Sequence, residues 1–319
     1  MRRAIAADFA RLPDRAARVI VTSDSRLLDD PGPWTTVPGD EVASVRELAA
    51  SADFTVLIAP ETSGILAGLT RDLGNAGARL LGSTADAVEL TADKARLAVR
   101  LQELSIATPA TRTIVPSNGL PRDATYPAVL KPVDGAGSVD TFYLPDAMSL
   151  PDRAREMSVA LFQPFVQGTS MSASFFVDRS GQIWPIGVGI QQMAIRDGRF
   201  EYHGGSLPAP SLDALPQLTP AVESVAGLRG FVGVDFIWNS PKNRATILEI
   251  NPRPTTSYVG LCRLVPPGRL AQAWLSACAM DGRDTAILAG LVERVHGKEC
   301  HLSFSSSGEV TAEEHGVSG

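Results

Sequence analysis

The chain has 319 residues, 44% of them hydrophobic and 20% charged, with 29 Lys+Arg against 35 Asp+Glu for a net charge of −6. That length and apolar content support about two domains with a sizeable core and exclude disorder as the main state. The acidity excludes a general nucleic-acid coat, three cysteines without CxxC spacing exclude a disulfide scaffold, and no apolar run reaches the roughly 18 residues of a membrane span.

From the N-terminus, Arg2 and Arg3 precede an apolar stretch, but Asp8 and Arg11 interrupt it too early for a signal sequence, so a cytoplasmic location is expected. Residues 4–17 read as a helix, 18–24 as a strand, 25–40 as a Pro/Gly/Asp loop and 39–52 as a helix capped by Asp40. FTVLIAP at 54–60 is a continuous apolar run of the kind buried in parallel sheets. A helix near 63–76, a strand at 79–83 and a short helix at 84–90 follow. This alternation predicts an open α/β sheet and a first domain over residues 1–88; a helix stands where its first strand is usual, which fits a permuted domain, a shortened one or a start codon placed late.

The second region, 89–319, opens with a helix that Thr91 is expected to cap. Strands are predicted at 107–114 and 126–133, the latter ending in DGAGS at 134–138. Further strands are predicted at 159–166, 171–178, 183–195, 231–238 and 245–251, and helices at 219–229 and 268–280. The tail after Ser305 is small and polar and is expected to fray. Cys262, Cys278, Cys300, Trp184, Trp238 and Trp274 read as core residues.

GVDFIWNSPKNRATILEINPRP at 233–254 is the most informative stretch. A hairpin roughly symmetric about Lys242 sets Asp235 opposite Glu249, with Cβ atoms about 4.5–5.5 Å apart. Asn251 then projects from the same strand face as Glu249. Two facing carboxylates repel unless a cation sits between them, and hard oxygen ligands suit Mg²⁺. The alternative is a solvated or arginine-paired acidic hairpin. Against it, both acids lie in apolar runs, where a buried carboxylate needs a partner.

Four other groups have two readings each. Lys131 ends a strand, and Gly135, Gly137 and Ser138 after it can bring backbone N–H groups to phosphate oxygens or form a plain turn. Lys94 stands at a helix start, where a cation is unfavourable unless an anion is near; otherwise it is a surface lysine. Gln163, Phe165 and Val166 offer an apolar slot for an adenine ring or a crossover without a ligand. His203, beside two glycines, is a candidate general base or a surface residue. Gln191 and Gln192 are candidate substrate contacts. No Ser/His/Asp or Cys/His arrangement supplies a protein nucleophile.

In order, DK at 93–94, LKP with its Gly/Ser loop, a Q-P-F-V-x-G linker, VDF and LEINPRP resemble the ATP-grasp carboxylate–amine ligases over residues 90–260. LIAPET (57–62), LTADKARLA (90–98) and LEINPRPTTSYVGL (248–261) resemble the tyramine–L-glutamate ligase group of methanofuran biosynthesis and its bacterial relatives associated with methylofuran and one-carbon metabolism. The resemblance implies an α/β fold: a Rossmann-like pre-ATP-grasp domain at 1–88, then a two-lobed α+β ATP-grasp domain at 89–319. Within the latter it implies a lid lobe at about 108–166, a C-terminal lobe at about 167–305 and a tail at 306–319.

It further implies ATP with Mg²⁺ or Mn²⁺. Lys94 and Lys131 would meet phosphates, Gly135, Gly137 and Ser138 would close over them, and Gln163, Phe165 and Val166 would meet adenine. Asp235, Glu249 and Asn251 would hold metal, and Arg253 the γ-phosphate, acyl phosphate or acid. The sequence departs from the family at three points. Gln163 replaces a usual Glu, Thr169 and Ser170 follow Gly168 where many members have a ribose-binding Glu, and Gly233 stands where several have Arg. Oxyanion stabilisation then falls to Arg253 or Arg229. The implied reaction joins a carboxylate, expected to be glutamate, to an amine, expected to be tyramine or a related one, through an acyl phosphate. Neither nucleic acid nor membrane is an expected partner, and a homo-oligomer is compatible with the chain. The alternatives are another acid ligase, a phosphotransferase or a non-catalytic nucleotide-binding subunit.

Overall fold

The structure is a computed structural model that describes residues 1–13, 17–23, 32–39, 42–135, 137–209, 212–279, 285–297 and 301–313. The expected Asp40 cap, Cys300 and part of the 25–40 loop lie outside the described residues. The N-terminal region carries α1 (Arg2–Phe9), β1 (Ile20–Ser23), β2 (Thr35–Pro38), α2 (Val42–Ser51), α3 (Ile65–Asn75) and α4 (Ala85–Ala92). β1 and β2 pair in parallel. β2 falls in the stretch expected as loop; Thr35, Thr36 and Val37 are β-branched and fit a pleated surface despite the prolines around them.

The runs at 54–60 and 79–83, expected as strands, share only one ladder contact, a parallel bridge between Thr55 and Leu80, with Arg79 lying 4.5 Å over the Phe54 ring. Leu57 and Ala59 pack instead against Leu66, Ala67 and Val88, so the run is partly covered by side chains rather than held in a ladder, and Ile58 stays exposed. α1 is held by Asp8, whose buried carboxylate accepts hydrogen bonds from Tyr258 Oη at 2.9 Å, Gly268 N at 2.6 Å and Ala271 N at 2.8 Å.

α5 (Lys94–Glu103) follows α4 after a break at Asp93. Asp93 caps α5, its Oδ1 accepting from the N–H groups of Ala95 and Arg96 at 3.0 Å each. Thr91, the expected cap, sits in the last turn of α4 and bonds back to Ala87 O. A carboxylate is the better partner for the exposed N–H groups and positive pole of a helix start, so the chain breaks at the acid.

Beyond it come β3 (Arg112–Ile114), β4 (Ala128–Pro132), β5 (Phe142–Leu144), α6 (Asp152–Arg155), β6 (Ala160–Pro164), β7 (Thr169–Val177), β8 (Ile183–Arg196) and β9 (Arg199–Leu207). Then follow α7 (Leu215–Glu223), β10 (Gly230–Asn239), β11 (Arg244–Asn251), α8 (Ser257–Leu264), α9 (Arg269–Ala279), α10 (Thr285–His296), β12 (His301–Ser305) and β13 (Val310–Glu313). β13 pairs with β12 where the tail was expected to fray.

The main sheet runs β11-β10-β7-β8-β9-β5-β4-β6-β3, with β12 on β9 and β13 outside it. β5 joins β9 at a single register pair, Phe142 with Arg199. On its far side, Ala128, Leu130, Phe142, Leu144, Ala154 and Ala160 form a separate core of their own. The larger part of the sheet is covered on both faces. Val232, Val234 and Phe236 of β10 pack with α5 and α7, while Phe231 packs with Tyr258 and Trp274 of α8 and α9. Among the described residues no helix is long and apolar enough to cross a membrane. Trp184, Trp238, Trp274, Cys262 and Cys278 all lie in or against these cores.

Candidate active site

A cavity of about 640 Å³ opens between the β4–β6 strands and the β7–β11 strands. Lys94, Lys131, Gly135, Gly137, Ser138, Gln163, Phe165, Val166, Asp235, Glu249, Asn251 and Arg253 all line it. The position follows from strand alternation. The β10 face that buries Phe231 carries Gly233 and Asp235 further along, and at that point the helices no longer cover it.

Asp235 and Glu249 are register partners across the β10–β11 hairpin, as are Gly233 and Asn251. Gln191 Nε2 donates to Asp235 Oδ1 at 3.1 Å, and Asn251 Nδ2 donates to Asp235 Oδ2 at 3.2 Å. An amide that donates through Nδ2 keeps its oxygen as an acceptor. Burial pushes the Asp235 carboxyl up to about 7, with the Glu249 charge acting in the same direction. Burial also works to raise Glu249, but Lys94 and Lys131 outweigh it and hold that carboxyl below its usual range. Lys94 Nζ lies 3.4 Å from Glu249 Oε2. The Lys131 ammonium is pushed down to about 8 by burial, against the pull of Glu249. Two carboxylates and an amide oxygen therefore face one cleft, with Asp235 driven toward neutrality by burial and by the Glu249 charge. This donor set fits a hard divalent cation of the Mg²⁺ class.

The glycine loop is tied at its head by two contacts. Lys94 Nζ donates to Gly135 O at 2.6 Å, and Asp134 Oδ2 accepts from Ser63 N at 2.8 Å. Gly135 and Gly137 have φ of +131° and +71°, and Ser138 has +61°. Ala136, between the glycines, lies outside the described residues. On β6, Gln163 is buried and donates through Nε2 to Thr111 Oγ1 at 2.7 Å. The Phe165 N–H is bonded to Pro127 O, so that donor is not available to a base. The Phe165 ring stacks near Phe200, with centroids 6.4 Å apart.

These residues lie within one matched region. Residues 91–257, just over half the chain, match the ATP-grasp domain family. The chain belongs to the ATP-grasp family. Residues 17–88 match the pre ATP-grasp 3 domain. A tyramine–L-glutamate ligase of Methanocaldococcus fervens is 29% identical over 212 residues, which cover 66% of this chain and 61% of that protein. The chain thus spans about three-fifths of the length of that relative. An ATP-grasp superfamily protein of Archaeoglobus fulgidus aligns with a TM-score of 0.55 at 27% identity, over 72% of this chain and 67% of that one. An L-amino acid ligase of Bacillus licheniformis aligns with a TM-score of 0.67 at 14% identity, over 90% and 73%, which shows the fold.

In this ATP-grasp chain the position of Gly233 has a steric cause. A Cβ there would lie 2.5 Å from Thr255 Cγ2, so the segment after Arg253 occupies the space an arginine would need. Arg253 lines the cleft and pairs with buried Glu61 of the first domain, Nε to Oε1, at 2.8 Å. Arg229 does not line the cavity. Its backbone N–H donates to Ser83 Oγ at 3.2 Å, and its charge acts on Cys278. His203 does not line it either. Phe200 and Tyr202 of β9 face the cleft, so His203 alternates outward, half exposed, with Nε2 3.3 Å from Glu201 Oε2. Gln191 lines the cleft and Gln192 does not.

Sequence reasoning did not single out Glu61, Ser172 or Tyr202. Ser172 is the β7 partner of Asp235 and lines the cleft. Burial pushes the Tyr202 hydroxyl up to about 12, against a hydrogen bond with Thr256. The signal for Glu61 was within LIAPET, an acid at the end of an apolar run. That for Tyr202 was alternation along an unrecognised strand.

Proposed function

We propose that this ATP-grasp protein is an ADP-forming carboxylate–amine ligase, with residues 1–88 as its first domain and 89–319 as a two-lobed grasp domain. The observation that carries the reading is the convergence of Asp235, Glu249 and Asn251 with Lys94 and Lys131 in one cleft. Similarity to a tyramine–L-glutamate ligase supports glutamate and tyramine, or a related amine, as the specific pair.

In this reading the Gln163–Val166 linker and Phe200 take the adenine, and Lys94, Lys131 and the glycine loop take the triphosphate. Asp235, Glu249 and Asn251 would hold Mg²⁺ or Mn²⁺, which when bound neutralises phosphate charge. A substrate carboxylate attacks the γ-phosphorus in line, ADP leaves, and an acyl phosphate forms. Two N–H groups of Arg253 hold the oxyanion. The amine then attacks the acyl carbon and phosphate departs. The chain contributes positioning and fixed donors rather than a nucleophile. The glycine loop shields the acyl phosphate from water.

The test is incubation with ATP, Mg²⁺, glutamate and tyramine, following ADP, phosphate and a new amide. Hydroxylamine in place of the amine traps the activated acid as a hydroxamate. AMP as the product would exclude the acyl-phosphate route. ATP binding without turnover for any acid would favour a non-catalytic nucleotide-binding role, and a phosphorylated product without hydroxamate a phosphotransferase.

A further inference from the structure

Glu61 stands at the head of the turn that leads into α3 and is 5% exposed. It takes Arg253 from the side, with Oε1 2.8 Å from Nε and Oε2 2.9 Å from Nη2. Arg253 Nη1 donates to Pro254 O at 3.2 Å. A guanidinium has five N–H groups in a fixed plane. Two of them donate, Nη2 to Glu61 and Nη1 to Pro254, while Nε faces Glu61 Oε1 as an ion pair without a hydrogen bond, which leaves one N–H on each terminal nitrogen for a ligand in the cleft that Arg253 lines. The pair is neutral overall, so Arg253 offers a ligand oriented donors more than net charge.

The same turn makes a second contact. Ser63, with φ of +54°, turns its N–H to Asp134 at the head of the glycine loop, at 2.8 Å. One short segment of the first domain therefore holds both the arginine and the loop.

We propose that Glu61 is a positioning residue that fixes the two remaining N–H groups of Arg253 on the phosphoryl group in transfer, and that its turn seats the glycine loop in the same arrangement. This rests on the reading that ATP donates a phosphoryl group in the cleft. Catalytic donors act through fixed orientation toward charge that develops in the transition state, so a guanidinium free to swing loses most of that effect.

The test compares binding of Mg·ADP to the full chain with and without aluminium fluoride, a mimic of the transferring phosphoryl group, alongside thermal unfolding midpoints. Wild type is expected to bind the fluoride complex about tenfold tighter or more than Mg·ADP alone. Glu61→Gln is expected to lose most of that gain while binding Mg·ADP alone as wild type does. Glu61→Asp, which keeps a carboxylate, is expected to recover part of it. The Glu61→Gln/Arg253→Gln double variant leaves no unpaired buried charge, and is expected to recover the unfolding midpoint but not the gain. A Glu61→Gln protein that keeps the gain, or a double variant that regains it with stability, would overturn the proposal. So would a wild type that binds Mg·ADP with no gain. A wild type that does not bind Mg·ADP at all would overturn the ATP reading beneath it.

Discussion

Ile247 and Glu249 are two residues apart on β11, yet they face opposite sides of the sheet. Ile247 is in the core beneath the sheet and Glu249 faces Asp235 in the cleft. Side chains two apart on a regular strand share a face. The register shift between Asp235 and Phe236 breaks that rule, with Leu248 as the extra residue. The turn alone, which pairs Asn239 with Arg244, would set Leu248 opposite Asp235. The bulge therefore delivers the second carboxylate, and bulges beside active sites commonly re-aim a side chain in this way.

Removing one acid at that position tests its role. Glu249→Gln and Asp235→Asn are each expected to lower Mg²⁺-dependent ADP formation by of order 10²-fold while the chain stays folded. Circular dichroism and steady-state rates at several Mg²⁺ concentrations check this. Turnover near the wild-type rate in either variant would remove the pair from the metal site.

Gly233 carries a steric prediction. Gly233→Ala sets a Cβ 2.5 Å from Thr255 Cγ2 and is expected to cost about 1–3 kcal/mol of stability. Adding Thr255→Ser removes the opposing methyl and keeps a hydroxyl, so the double variant is expected to regain most of the loss. Urea unfolding of the three proteins gives the answer directly.

The break between α4 and α5 assigns the cap to Asp93. Asp93→Ala is expected to cost about 1 kcal/mol, the usual loss of a helix cap. Because Lys94 is the next residue, the same variant is expected to weaken ATP binding. Unfolding curves and nucleotide titration measure the two effects separately.

His296 gives a pH dependence. It ends α10 and packs on β8, and burial lowers its pKa from the ordinary 6.5, with a hydrogen bond to the Ile186 backbone opposing. The unfolded chain therefore binds the proton more tightly than the folded one. Stability contributed here is present above pH 6.5 and falls as pH drops toward the lowered value. His296→Leu is expected to flatten the fall in unfolding midpoint between about pH 7 and pH 5. An unchanged slope would show that other groups set it.

The hairpin acids, Lys131, the glycine loop and the linker were legible because each sits in a short motif within an apolar run. Local pattern could not show the bulge at Leu248, which depends on how the turn closes. Nor could it show Glu61 with Arg253, a contact across 192 residues of chain. Two apolar runs of the first domain read as full strands because hydrophobic length alone does not say whether a segment joins a ladder or is only partly covered by side-chain packing. β9 was missed because FEYHGG mixes strand formers with two glycines. His203 and Arg229 were chosen by residue type, but strand alternation and a backbone-anchored loop direct them elsewhere.

The single register pair between Phe142 and Arg199 is the narrowest join in the main sheet. Only two flanking hydrogen bonds, Tyr143 N to Gly198 O and Phe200 N to Thr141 O, accompany it. The small core beyond β5 reaches this seam through Phe142, whose ring carries the Arg199 guanidinium 5.6 Å from its centroid. Aromatic contacts also span the seam, with Tyr143 and Phe165 on one side and Phe200 on the other. Phe165 and Phe200 also line the cleft. The join between the two parts of the sheet and the mouth of the cleft thus share one surface, and a flat ring entering there would touch residues from both sides of the join.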